Sequence, residues 1–274
     1  MKRLLRIAAL FSVTLLWWGE KGYAATPATD AAEKETVSAT VEAEADKKDP
    51  KSDKKSDEPK RKRNLGHLSG SFETNTIYVV AAHQPTGTPM DPYSCLEGIN
   101  LNSKMKVGVY PTWSYNFEDL VVGVGAGAIS KTSIRQQISH AEKTYPAVCG
   151  VKATSTLEGS TAKIEATVQF QQAGNYKIAC VLVENNIENK ETYNTFDHVL
   201  RAAQTDMEGD AVTPAVTASE ERTFNFEATI GEGWNAENCA FVVYVFKEEA
   251  NGKYIVNNGA ECALDGSVDY RYEL

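Results

Sequence analysis

The feature that most constrains this chain is a run of strict alternation. Ala162, Ile164, Ala166, Val168 and Phe170 interleave with Lys163, Glu165, Thr167 and Gln169. Successive side chains of a strand point to opposite faces, so this run predicts a strand with one buried face and one solvated face. Ala173-Gly174-Asn175 turns the chain, and Tyr176 to Glu184 answers with a more apolar strand. Phe224, Phe226, Ala228 and Ile230 alternate again, and Ala240 to Phe246 is apolar on both faces, as a central strand should be. Asn251-Gly252 is the strongest hairpin dipeptide in the chain, with Tyr254 onward as the returning strand. With a segment near Val151, six or seven short strands follow one another without a helical period between them. That pattern predicts a two-sheet sandwich over 147–274.

Upstream the pattern changes. Thr76 to Ala82 is a near-continuous apolar and β-branched run, the mark of a strand buried on both faces. Pro92 to Leu101 has room for a short helix, and Val107 to Trp113 reads as a short strand broken at Pro111. Thr132-Ser133 caps a helix with Ile134, Ile138, Ala141 and Tyr145 on one face, and Pro146 ends it. Strand, helix, strand and helix in that order suggest a small α/β unit over 65–146. The fold class expected for the whole is therefore mainly β with a small α/β part.

Before that unit stand two segments of different character. Residues 1–24 carry a basic start (Lys2, Arg3, Arg6), an apolar core from Ile7 to Trp18, and Gly22-Tyr23-Ala24 as a cleavage site. This is the pattern of a secretory signal peptide, with a short membrane anchor as the alternative. Residues 25–64 hold ten acids and ten bases but no aromatic, Leu or Ile, too little apolar surface to offset the entropy of ordering. Lys60-Arg61-Lys62-Arg63 closes this stretch, either as a solvated linker end or as a contact for anionic headgroups or polysaccharide.

The net charge of −9 argues against a nucleic-acid partner, which needs a basic face. No apolar run long enough to span a bilayer follows the leader. Gly123-Val124-Gly125-Ala126-Gly127-Ala128, with Glu142 nineteen residues on, formally fits a dinucleotide fingerprint. Glu142 falls inside the predicted helix, however, so a flexible glycine loop is the better reading. Asp206, Glu208 and Asp210 offer oxygen ligands for calcium without the rest of a binding loop. His67, His83, His140 and His198 show no metal-ligand spacing. No catalytic, cofactor or metal site is assigned, and none of these motifs makes the protein an enzyme.

One ordered set of segments carries a resemblance. Cys180 to Ile187 runs into Phe196-Asp197-His198-Val199-Leu200-Arg201-Ala202-Ala203, followed by Asn238 to Val245 and the hairpin. This order resembles the outer membrane protein 28-related family of Bacteroidota over roughly 75–262, and His198, Val199, Leu200, Arg201 and Ala202 are its most specific part. The resemblance implies a thioredoxin-like α/β domain followed by a β-sandwich, with association at the outer membrane. On that template Thr76 to His83 is an inner strand, and the peptide bond before Pro111 is cis. Many relatives carry a Cys-x-x-Cys pair at the first helix; this chain has none, so the thioredoxin-like unit is a truncated one. Dithiol exchange needs two sulfurs within one turn.

The five cysteines are Cys95, Cys149, Cys180, Cys239 and Cys262, an odd number for an oxidising compartment. Cys239 and Cys262 come within reach of a disulfide if the hairpin loop is centred one or two residues before the Asn-Gly turn; otherwise they are buried thiols. A Cys95–His83 pair is the weaker possibility. The reading that joins these observations is an exported envelope protein without enzymatic activity, docking an envelope protein or a glycan. The rivals are a degenerate thioredoxin-like thiol–disulfide protein, and a surface carbohydrate or adhesin-type module using Trp113, Tyr115 or Trp234.

Overall fold

The computed structural model describes residues 78–85, 91–108, 112–118, 120–122, 131–189 and 194–271. The leader, the charged stretch 25–64, the glycine loop and the bond before Pro111 lie outside the described residues. Elements follow in the order α1 (Leu96–Lys104), β1 (Thr112–Ser114), β2 (Leu120–Val122), α2 (Lys131–Thr144), β3 (Cys149–Glu158), β4 (Thr161–Phe170) and β5 (Tyr176–Glu184). Then come β6 (Ile187–Asn189), β7 (Asn194–Phe196), β8 (Val199–Ala203), β9 (Asp210–Ala211), β10 (Glu220–Thr229), β11 (Cys239–Glu248), β12 (Tyr254–Ala263) and β13 (Ser267–Val268). The fold is mainly β, and every strand pair is antiparallel.

Two sheets make the sandwich. One has the order β10-β4-β3-β13, and the other β12-β11-β5-β8, with β9 also on β5. Their shared core takes Ile164, Val168 and Phe170 from the first sheet, and Ile178, Leu182, Phe241 and Val243 from the second. The alternation in β4 is thus that of a strand with one solvated face. In contrast β5 and β11 are buried almost throughout, because the second sheet is covered on its other face too. There Val181, Val183, Val242, Tyr244 and Phe246 pack against Tyr78, Val80, Ala82 and Leu101. This outer layer explains why the two central strands read as continuous apolar runs.

Of the run Thr76 to Ala82, Tyr78, Val80, Ala81 and Ala82 are buried and Val79 half-buried, and among the described residues the run makes a single bridge. Ala81 lies parallel to Val199, with Ala81 N–H donating to His198 O (2.8 Å) and Leu200 N–H to Ala81 O (2.9 Å). It therefore extends the sandwich sheet beyond β8. Helix α1 closes over it at Gly98, where a Cβ would stand 3.1 Å from that of Ala82. Of the expected strand Val107 to Trp113, only Thr112 and Trp113 belong to β1, which begins after Pro111 and pairs with β2 as a small antiparallel hairpin; Val107 and Gly108 are not strand. Between them Asn116 and Phe117 both have positive φ (49° and 60°). That sharp turn carries the Phe117 ring onto Tyr244 and Phe246, with centroids 5.8 and 5.2 Å apart.

The Asn251-Gly252 hairpin differs from the two-residue turn its dipeptide predicts. Gly252 alone has positive φ (77°), while Glu249 N–H donates to Lys253 O (2.8 Å) and Gly252 N–H to Glu249 O (2.8 Å). This is a three-residue loop, a type I turn closed by a glycine bulge. Paired numbers near it sum to 502, as in Glu248 opposite Tyr254. Further along, Asn257 is an extra residue between Val256 and Asn258, and Phe241 then faces Cys262. The bulge also exchanges the faces of β12. Val256 points into the outer layer, whereas Ala260 and Cys262 point into the sandwich core. The loop is not centred early enough for the Cys239–Cys262 candidate bridge: the bulge moves Cys262 away from Cys239, and both are buried thiols, the other of the two readings.

Candidate binding surface

The most specific sequence motif folds into a junction. His198 takes positive φ (57°), steadied by its N–H donating to Asn185 Oδ1 (2.8 Å). Its Nδ1 is buried and has no partner among the described residues. Val199 and Leu200 are fully buried. Opposite β5, Leu200 faces Val183 and Ala202 faces Leu182, so Arg201 is the extra residue of a second bulge. Bulges re-aim side chains, and this one turns Arg201 toward Glu184 at the end of β5. Arg201 Nε donates to Glu184 Oε2 (2.7 Å), and the side chains are 11% and 5% exposed. The other oxygen, Glu184 Oε1, accepts from Asn235 N–H (2.8 Å), which ties in the segment before β11.

Two rings flank the guanidinium. Its carbon lies 5.5 Å from the Tyr93 centroid and 5.4 Å from that of Trp234, within cation–π range. Trp234 lies over Gly231, where any Cβ would come within 2.6 Å of the indole. Tyr93 is placed by Asp91, which accepts from Tyr93 N–H through Oδ1 (2.9 Å) and bonds His83 Nδ1 through Oδ2 (2.7 Å). His83 meets Tyr93 and Phe196 edge-on at 5.7 and 5.6 Å. Burial acts to raise the Asp91 carboxyl. The hydrogen bonds from His83 and Tyr93, with the charges of His83 and Arg201, outweigh it and hold the group below its ordinary range.

The other expected residues fall elsewhere. Trp113 and Tyr115 are buried in a small core with Ala141, so neither is a surface platform. Asp206 binds Lys104 Nζ (2.6 Å) and accepts from Glu208 N–H, so a lysine occupies the place suggested for calcium. No group of three or more His, Cys, Asp or Glu able to hold a metal exists among the described residues. Cys95 precedes α1, and its suggested partner His83 bonds Asp91 instead. Sequence reasoning found Arg201 and Trp234 separately but not as neighbours, and it missed Glu184 and Tyr93. Glu184 could have been suspected as the one acid closing the apolar run Ile178 to Val183.

Burial pushes the Cys95 thiol up to about 11 and raises Cys149 and Cys180 further. Cys239 is raised to about 11, by burial and then by Glu184. Thiolates, not thiols, are the nucleophiles. In the native protein at pH 8, iodoacetamide is thus expected to leave Cys149 and Cys180 unmodified over hours, and denaturation to release all five thiols. Mass mapping checks this. Rapid native alkylation of Cys180, or a recovered Cys239–Cys262 disulfide peptide, would contradict the structure.

A partly open cleft between Tyr78, Gly150 and Arg271 holds about 10 Å³, room for one water. Among these residues no helix is long and apolar enough to cross a membrane.

A layered antiparallel β-sandwich with an arginine–aromatic cluster at one sheet end defines the class of protein. Residues 126–261 match the model of the family described as "Outer membrane protein Omp28", a stretch that contains the whole of β3 to β11 and the Arg201 junction. No curated protein matches the chain. Among solved structures, a protein of Agrobacterium tumefaciens is similar over 72% of this chain and 84% of its own, with 12% identity and a TM-score of 0.48. Bacteroides uniformis beta-glucuronidase 2 is similar over 42% of this chain and 13% of its own, with 11% identity and a TM-score of 0.26.

Proposed function

We propose that the protein is exported to the cell envelope, associates peripherally with the outer membrane, and acts without catalysis by docking another envelope component through its sandwich. The match of residues 126–261 to an outer membrane protein family carries this reading. The leader-like start of the chain supports export. The buried, raised thiols and the engagement of the His83–Asp91 pair in placing Tyr93 are in keeping with a role without catalysis. A sandwich whose apolar faces pack against its own layers supports a peripheral rather than an embedded attachment.

Cell fractionation of a Gram-negative host expressing the full chain tests this. The protein is expected to sediment with outer membranes and to be released by alkaline carbonate without detergent. Recovery in the cytosol would overturn the reading, as would carbonate-resistant retention in the membrane.

A further inference from the structure

We propose that Tyr93, Arg201 and Trp234 form a binding site for a neutral sugar unit of an envelope glycan, the rings acting as platforms and the free Arg201 Nη groups donating to hydroxyls. This deepens the docking reading above and rests on it.

The first observation is an unspent donor set. A guanidinium offers its N–H donors in a fixed fork and has no acceptor. Glu184 takes only the Nε proton of Arg201, because its second oxygen is committed to Asn235. Both Nη groups are without a hydrogen-bond partner among the described residues, and the side chain keeps 11% exposure. An arginine serving only the fold would close its fork on the carboxylate in bidentate fashion. Here the fork stays open between two half-buried rings.

The second observation is preorganisation. The three side chains come from the turn before α1, from β8 and from the loop between β10 and β11, and each is pinned separately. Asp91 holds Tyr93, Glu184 holds Arg201, and Gly231 seats the Trp234 indole. Little ordering entropy is then left to lose on binding. Tyr and Trp present flat apolar faces beside polar tips, which suits the alternating C–H and O–H surface of a pyranose.

Electrostatics decides against an acidic ligand. Arg201 is neutralised by Glu184, and the Asp91 carboxylate is close enough for the two charges to interact. An incoming carboxylate or phosphate would meet two carboxylates already paired with Arg201 and His83, and would be repelled by their oxygens with no unpaired cation among these groups to attract it. Hydroxyl oxygens accept from the Nη groups without that repulsion.

Affinity electrophoresis of the full chain through gels containing dextran, mannan or polygalacturonate tests the site. Migration is expected to be retarded by at least one of the two neutral polymers and not by polygalacturonate. Tyr93→Ala and Trp234→Ala are each expected to weaken that retardation about tenfold, the loss typical of an anchoring aromatic, with unchanged circular dichroism. Trp234→Phe should retain most of it. Stronger retardation by polygalacturonate would overturn the proposal. So would neutral retardation that survives both alanine variants, or none in either neutral gel. If any of these occurs while the protein still sediments with outer membranes, the sugar site falls and the docking reading stands.

Discussion

Replacing Arg201 with alanine is expected to destabilise the fold by about 3–5 kcal/mol, the range for breaking a buried ion pair from one side. The variant leaves Glu184, 5% exposed, with its charge uncompensated by the 2.7 Å bond. It also removes the cation between Tyr93 and Trp234, so the loops before α1 and before β11 lose a common anchor. The double variant Arg201→Leu with Glu184→Leu should lose much less, because no buried charge is stranded and apolar volume replaces the pair. Urea unfolding of the three proteins, compared by midpoint and slope, checks this. A loss below about 1 kcal/mol for Arg201→Ala would place the pair in the class of solvated surface bridges and refute its structural role. Pairs of this kind are weak evidence for net stability but strong constraints on geometry.

What could be read in advance divides along physical lines. Strands β4 and β10 were legible because their burial alternates with the pleat, and β5 and β11 because they are near-continuous apolar runs buried on both faces. Helix α2 was legible from its apolar spacing, and its end was fixed by Pro146. The site was half legible. The His198-Val199-Leu200-Arg201-Ala202 stretch stood out, but its chemistry depends on partners seventeen residues before Arg201, at Glu184, and far off at Tyr93 and Trp234. No local period encodes such a meeting. Nor could the second covering layer be foreseen. The apolar run ending at Ala82 promised a strand in its own sheet, whereas the described residues add it to the sandwich through Ala81. The two bulges were the least legible features. An extra residue carries no composition signal of its own, yet at Arg201 it aims the side chain, and at Asn257 it reverses which face of β12 is buried.

That second bulge supports the other large expected effect. Asn257 is 8% exposed and reaches across to the start of β3. Its Oδ1 accepts from Val148 N–H (2.8 Å) and from the Cys149 thiol (3.3 Å), and its Nδ2 donates to Pro146 O (3.0 Å). Next to it, Asn258 Nδ2 donates to Cys149 O (2.9 Å). The bulge thus spends its unpaired side chain on the backbone where helix α2 gives way to the first sandwich strand. Leucine at position 257 keeps the volume but strands the buried Val148 N–H, whereas Pro146 O lies at the surface, where water can replace the amide. At about 1–3 kcal/mol for an orphaned buried group, Asn257→Leu is expected to cost about 1–3 kcal/mol. The loss should be local as well as global. Hydrogen exchange at the Val148 amide is expected to accelerate more than at Val243, which lies mid-strand in β11 and has no link to Asn257. Uniform acceleration at both amides, or a stability change within about 0.5 kcal/mol of wild type, would show that water can replace the asparagine. In that outcome the bulge serves only to set the face of β12, and the joint between α2 and β3 is held by packing around Cys149 alone.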